Sequence, residues 1–166
     1  MEVNKDNIFF QIITSYNCHI LPLNILEFEM IKLSDYVIQF LEKQGVENIF
    51  MLVGGGSMHL NESIGNNNKI KYVSCLHEQT CAMAAESYAR CKRDLGVAVV
   101  TTGPGATNTV TGISAAWIES TPLFVISGQV KRSDSLDGTG VRSMGVQEID
   151  IVPIVKSITK YAVKLN

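Results

Sequence analysis

What this chain has little of narrows its function before any motif is considered. Its four cysteines, Cys18, Cys75, Cys81 and Cys91, form no CxxC pair, and its three histidines, His19, His59 and His77, stand at no zinc-ligand spacing, so no metal site is expected. A net charge of −2 gives no steering toward nucleic acid or an anionic membrane. Long apolar runs are missing too. The richest stretch, Ile8 to Leu26, is broken by Gln11, Ser15, Asn17, His19 and Pro22, which makes it a poor membrane span. It is an equally poor secretory signal, because MEVNKDN sets Glu2 and Asp6 against a single Lys5 and no small-x-small cleavage site follows. The glycine-rich GGGSMH has neither GxGxxG nor GxxxxGK[ST] spacing and no lysine where a phosphate-binding loop needs one. Internal repeats and low-complexity tracts are absent as well. The plain expectation is a reduced, cytoplasmic, globular protein whose ligand is a small molecule.

With 46% hydrophobic and 18% charged residues over 166 positions, the composition suits one domain with a sizeable core. Residues 1–30 are expected to lie outside it as an N-terminal extension. Met30, just ahead of a well-formed helical pattern, is a candidate start, and the domain itself is expected to span 31–166. From Ser34, a candidate helix cap, Tyr36, Val37, Phe40 and Leu41 form an apolar stripe that ends at Gly45. ENIFMLV then runs as a strand into Gly54, Gly55 and Gly56, and a second helix is predicted over Ser57 to about Ile64. Ile70 to Cys75, GVAVVTT and TPLFVISG repeat the strand signature. Helices are predicted from Glu78 to Arg93, from Ala106 to Ile118, and from Glu148 to Lys156 across Pro153. Uniformly apolar strands separated by helices predict an α/β fold, three-layer αβα, with a mostly parallel, flavodoxin-like sheet. Ligands in such sheets lie beyond the carboxyl ends of the strands, where Gly54–Gly56, Glu78, Gly103–Gly105, Gly128 and Gln129 would gather.

LHEQTCAMAA places one acid, Glu78, at the mouth of a helix whose other face is small and apolar. A carboxylate there is costly to bury without a partner. Its plainest role is to complement the helix dipole, which stabilises by roughly 0.3–1 kcal/mol. Cys81, set among alanines, is expected to be a packing residue and not a nucleophile.

HEQTCAMAAESYAR, VVTTGPGATNTVTGISAAWIESTPLFVISGQV and VQEIDIVPIVKSITKYAV resemble the N-terminal pyrimidine-binding domain of thiamine diphosphate enzymes, in the acetolactate synthase and pyruvate decarboxylase group. The similarity runs from about Ile31 to Leu165. It implies that Glu78 hydrogen-bonds N1′ of the cofactor's aminopyrimidine ring and, kept partly protonated, shares its proton with that nitrogen. It further implies that the backbone of Gly54, Gly55 and Gly56 lies close to the pyrimidine and substrate, that Gln147 reaches the active site from its loop, and that Thr102, Gly103, Pro104 and Asn108 form the GPG turn beside the cofactor, fixing it and capping the next helix. Val53 replaces a proline and Val146 an aromatic residue of the family pattern, so substrate preference does not carry over. The family holds the diphosphate and its magnesium ion (Mg2+) through a GDG motif in a separate domain, and this sequence has none.

The resemblance therefore implies half of a site in a 2-keto acid decarboxylase or carboligase, inactive by itself. It also implies a homodimer or higher homo-oligomer formed through the small-residue helix and the GPG helix. The alternatives are a free-standing subunit completed by a separate chain, a non-catalytic assembly module, and a flavodoxin-like flavin (FAD) binder, which the bare βα order permits.

Overall fold

A computed structural model describes the backbone of Gln11–Thr14 and residues 30–165. Four parallel strands build most of the sheet: β2 (Asn48–Met51), β3 (Lys71–Ser74), β4 (Gly96–Val100) and β5 (Leu123–Ser127). With β1 (Gln11–Thr14) and β6 (Tyr161–Lys164) the order is β3-β2-β4-β5-β1-β6, and β1 runs antiparallel to both of its neighbours. The helices are α1 (Leu33–Lys43), α2 (Met58–Asn66), α3 (Glu78–Lys92), α4 (Pro104–Thr107), α5 (Val110–Ile118) and α6 (Ile151–Val155).

Alternation along β4 shows why the sheet needs cover on both faces. Val97 and Val99 enter one core with Ile49, Met51 and Ile126, beneath Ile38 and Leu41 of α1 and Leu60 and Ile64 of α2. Ala98 and Val100 enter the other, with Val125 of β5, beneath Cys81 and Ala85 of α3, Ile113 and Ala116 of α5, and Ile151 and Val155 of α6. Period-two side chains on a strand buried from both sides give the continuous apolar run seen in the sequence. The predicted three-layer αβα architecture, with its mostly parallel sheet, is the one observed.

Several local expectations differ from the structure. Ser34 is not the cap of α1; it lies buried in the first turn, its hydroxyl 2.8 Å from that of Ser63 on α2. The helix predicted over Ala106–Ile118 starts earlier, at Pro104, and is divided into α4 and α5 at Asn108 and Thr109. That predicted from Glu148 shrinks to Ile151–Val155, because Glu148 is drawn into the preceding loop and Asp150 caps the helix by accepting from the Val152 N–H at 3.3 Å. Strand β6 was not anticipated in KYAVKLN. Four residues of the stretch set apart as an extension, Gln11–Thr14, add backbone to the sheet as β1; the rest of residues 1–29 lies outside the described residues.

The small face of α3 has a use inside the chain. A Cβ on Gly112 of α5 would stand 2.5 Å from the Ala82 Cβ, so the two helices meet at backbone distance. Small residues on both helices are what allow that approach.

Candidate active site

Four loops leave the carboxyl ends of β2, β3, β4 and β5 and are tied together by hydrogen bonds. The Gly56 N–H of the first donates to Thr101 Oγ1 of the third at 3.1 Å. Thr102 Oγ1 donates to Gln129 Oε1 of the fourth at 3.1 Å, and that oxygen also accepts from the Val130 N–H at 2.9 Å. From the β5 end, Ser127 Oγ donates to the Thr101 carbonyl at 3.1 Å. Asn108, just after α4, donates from Nδ2 to Glu78 Oε2 at 2.9 Å and so joins the β4 loop to the start of α3. The convergence expected of an open parallel sheet is thus present, and each join is a specific polar contact.

Glu78 is half-buried in the first turn of α3, behind His77, whose Nδ1 accepts from the Gln79 N–H at 3.1 Å as the helix cap. It stands at the helix N-terminus that the dipole argument assigns to it. It also has a second property that the dipole does not require. Oε2 is engaged by Asn108, whereas no hydrogen bond from the described residues reaches Oε1. That oxygen lies beside Gly105, where a Cβ would come within 3.4 Å of it.

Gly103 adopts φ +58, and a Cβ there would collide with the carbonyl oxygen of Gln147. Left-handed backbone combined with close approach makes glycine the only residue without strain at that point. Gln147 is itself at φ 56 and exposed, so the GPG turn and the Gln147 loop are in backbone contact. Pro104 occupies the first position of α4, where its missing N–H costs nothing. Thr102 is buried, and its hydroxyl is bound to Gln129. Asn108 closes the C-terminal end of α4, its N–H donating to the Pro104 carbonyl at 2.9 Å, and its side chain in addition faces Glu78. Gly54 and Gly56 pack against Thr101 and Thr102, while Gly55 has open space where a side chain would be. Val53 and Val146 are exposed, as is His59 on α2.

Cys81 is fully buried, and its thiol is pushed up to about 12, first by burial and next by its hydrogen bond with Cys75. A thiol held protonated in this way is a packing group, not a nucleophile. Among the described residues no group of His, Cys, Asp or Glu is arranged to hold a metal ion. Nor is any helix long and apolar enough to cross a membrane.

Glu148 was missed in the sequence. Only 3% exposed, it accepts from the N–H groups of Leu136 at 2.9 Å, Gly145 at 3.0 Å and Met144 at 3.3 Å, and from Ser135 Oγ at 3.3 Å. Burial alone would raise its carboxyl, but the backbone donors of Leu136, Gly145 and Met144 together hold it below the ordinary glutamate value. One carboxylate thereby gathers both arms of the loop that carries Gln147. No spacing marks such a residue in advance, since its partners are main-chain groups.

Residues 31–154 match the family described as thiamine pyrophosphate enzyme, N-terminal TPP binding domain. The chain belongs to this family. This TPP-binding domain is 41% identical over 128 residues to the acetolactate synthase of Arabidopsis thaliana chloroplasts, covering 77% of the chain and 18% of that relative. It is 44% identical over 131 residues to the acetolactate synthase large subunit of Lactococcus lactis, covering 77% of the chain and 21% of the relative. With the large subunit of Buchnera aphidicola the identity is 36% over 134 residues, 81% of the chain and 22% of the relative. The TPP-binding domain therefore spans about a fifth of the length of these relatives.

Proposed function

We propose that the chain is the pyrimidine-binding half of a thiamine diphosphate site in an acetolactate synthase-like 2-keto acid decarboxylase or carboligase. The observation that carries this reading is the Glu78 carboxylate: half-buried beside the Gly105 turn, with one oxygen fixed by Asn108 and the other left for a ligand. A planar aminopyrimidine with a ring nitrogen suits such a group, and the Gly105 turn leaves backbone rather than side chain next to it. Thiamine diphosphate supplies the carbanion-stabilising chemistry when bound. Glu78 meets the ring nitrogen with its free oxygen. Gly54–Gly56 and Gly103–Gly105 admit the ring to backbone distance, and Gln147 is delivered from the loop that Glu148 gathers.

The diphosphate and Mg2+ belong to another domain, so the chain alone is inactive. Both a longer polypeptide and a separate subunit would satisfy this requirement. Met83 on α3 and Trp117 and Ile118 on α5 remain 45%, 42% and 77% exposed, an apolar set on the two helices expected to meet a second copy in a homo-oligomer. The unpaired Cys75 and Cys81 suit a reducing, cytoplasmic setting.

The test is Glu78→Gln in the complete enzyme that carries this domain. Loss of a positioned proton donor and acceptor should lower kcat by roughly 10²-fold or more. Unchanged turnover would reject the role.

A further inference from the structure

The hydrogen bond between Asn108 and Glu78 joins residues 30 positions apart in sequence, from the α4 end to the first turn of α3. Gly105 and Asn108 stand three residues apart, so they share one side of the helical turn. Both address Glu78: Gly105 lies beside Oε1 and Asn108 binds Oε2. A side chain at 105 is barred independently, because a Cβ there would stand 2.7 Å from Thr101 Cγ2. We propose that Asn108 is the positioning residue for Glu78, fixing Oε2 so that Oε1 stays directed at the Gly105 turn, where the aminopyrimidine of the function proposed above would lie.

An asparagine is suited to this task by its two ends. Its NH₂ donates to an ionised carboxylate, and its carbonyl, after rotation about the side-chain amide, accepts from a protonated one. One residue can therefore hold the glutamate in either protonation state, as a group that shares a proton requires. Aspartate would repel the ionised form, and an apolar residue would leave Oε2 without a partner. The other titratable groups near Glu78 are the Cys81 thiol on its own helix, held protonated by burial, and its neighbour His77, whose Nδ1 is turned to the Gln79 N–H. Glu78 forms no ion pair with the described residues, so Asn108 is the polar side chain that fixes it.

The experiment is carboxyl ¹³C NMR on the 166-residue chain labelled at its glutamates, with Glu78→Gln used to assign the resonance. In Asn108→Ala the Glu78 titration midpoint should rise by about half a pH unit, because the bond to the charged form, the stronger of the two that Asn108 can make, is lost. In Asn108→Asp, which preserves shape, it should rise by about 1 unit or more, since two adjacent carboxylates cannot both ionise freely. The other glutamates serve as internal controls. A Glu78 midpoint unmoved in a folded Asn108→Asp chain overturns the proposal, even where thermal stability falls. Adding thiamine diphosphate to the same sample separates the two readings. Shifted midpoints without any response of Glu78 to the cofactor leave the Asn108 pair standing and remove the cofactor role; a response to cofactor with unmoved midpoints does the reverse.

Discussion

Gly103 and Glu148 fix the same loop from opposite ends, and they differ in how far the sequence reveals them. The GPG turn is legible because glycine and proline restrict the backbone locally. Gly103→Ala must place a Cβ at positive φ and against the Gln147 carbonyl, so it should destabilise by roughly 1–3 kcal/mol, read as a lower midpoint in urea unfolding. Glu148 is invisible beforehand, because its function lies in backbone donors supplied by residues 3 to 12 positions away. Its folded value is depressed, so its contribution is fully present above the ordinary glutamate value near 4.3 and is lost as pH falls through the folded one. Amide exchange at Leu136, Met144 and Gly145, relative to its intrinsic rate, should therefore accelerate as pH falls below the ordinary glutamate value. Glu148→Gln should accelerate it at neutral pH by about 10-fold or more, the loss of roughly 1–3 kcal/mol expected when buried donors lose a charged acceptor. Exchange that stays slow in this variant would show that the loop is held by other contacts. Glu78 falls between these two cases: its location followed from the motif, whereas its bond to Asn108 depended on how α4 ends.

Among the helices and strands, periodicity was a good guide wherever one face meets the sheet. The strands of the parallel sheet and helices α1, α2 and α3 lie where apolar spacing put them, although on α1 the core is entered by Ile38 and Leu41 while Tyr36 of the expected stripe is exposed, and Val97 to Val100 show why an uninterrupted run meant cover on both sides. Boundaries set by tertiary contacts were not legible. The division between α4 and α5, the retreat of α6 behind Glu148, and β6 all depend on partners distant in sequence. The composition of α3 was legible as a call for close approach, but the sequence could not say whether the approaching backbone was internal. Gly112 supplies an internal answer. Gly112→Ala should place its methyl against Ala82 and Met83 and destabilise by roughly 1–3 kcal/mol, lowering the thermal midpoint by several degrees. A midpoint equal to that of the parent chain would mean that the α3–α5 contact can relax at no cost.

Taken as one body, the domain gathers four loops at a sheet edge and presents there the Glu78 carboxylate, one oxygen of which has no partner among the described residues, and it spans about a fifth of its acetolactate synthase relatives. The exposed Met83, Trp117 and Ile118 predict self-association: sedimentation coefficients should rise with concentration, and Ile118→Lys should suppress the rise. A coefficient independent of concentration would remove this surface from the account. The deciding measurement is an amide NMR titration of the chain with thiamine diphosphate. Binding should be weak, on the order of millimolar for half a site. Shifts should cluster at Gly55, Glu78, Gly105 and Asn108 and vanish in Glu78→Gln. Shifts elsewhere on the domain, or an unaltered response in that variant, would contradict the assignment of Glu78 to the pyrimidine.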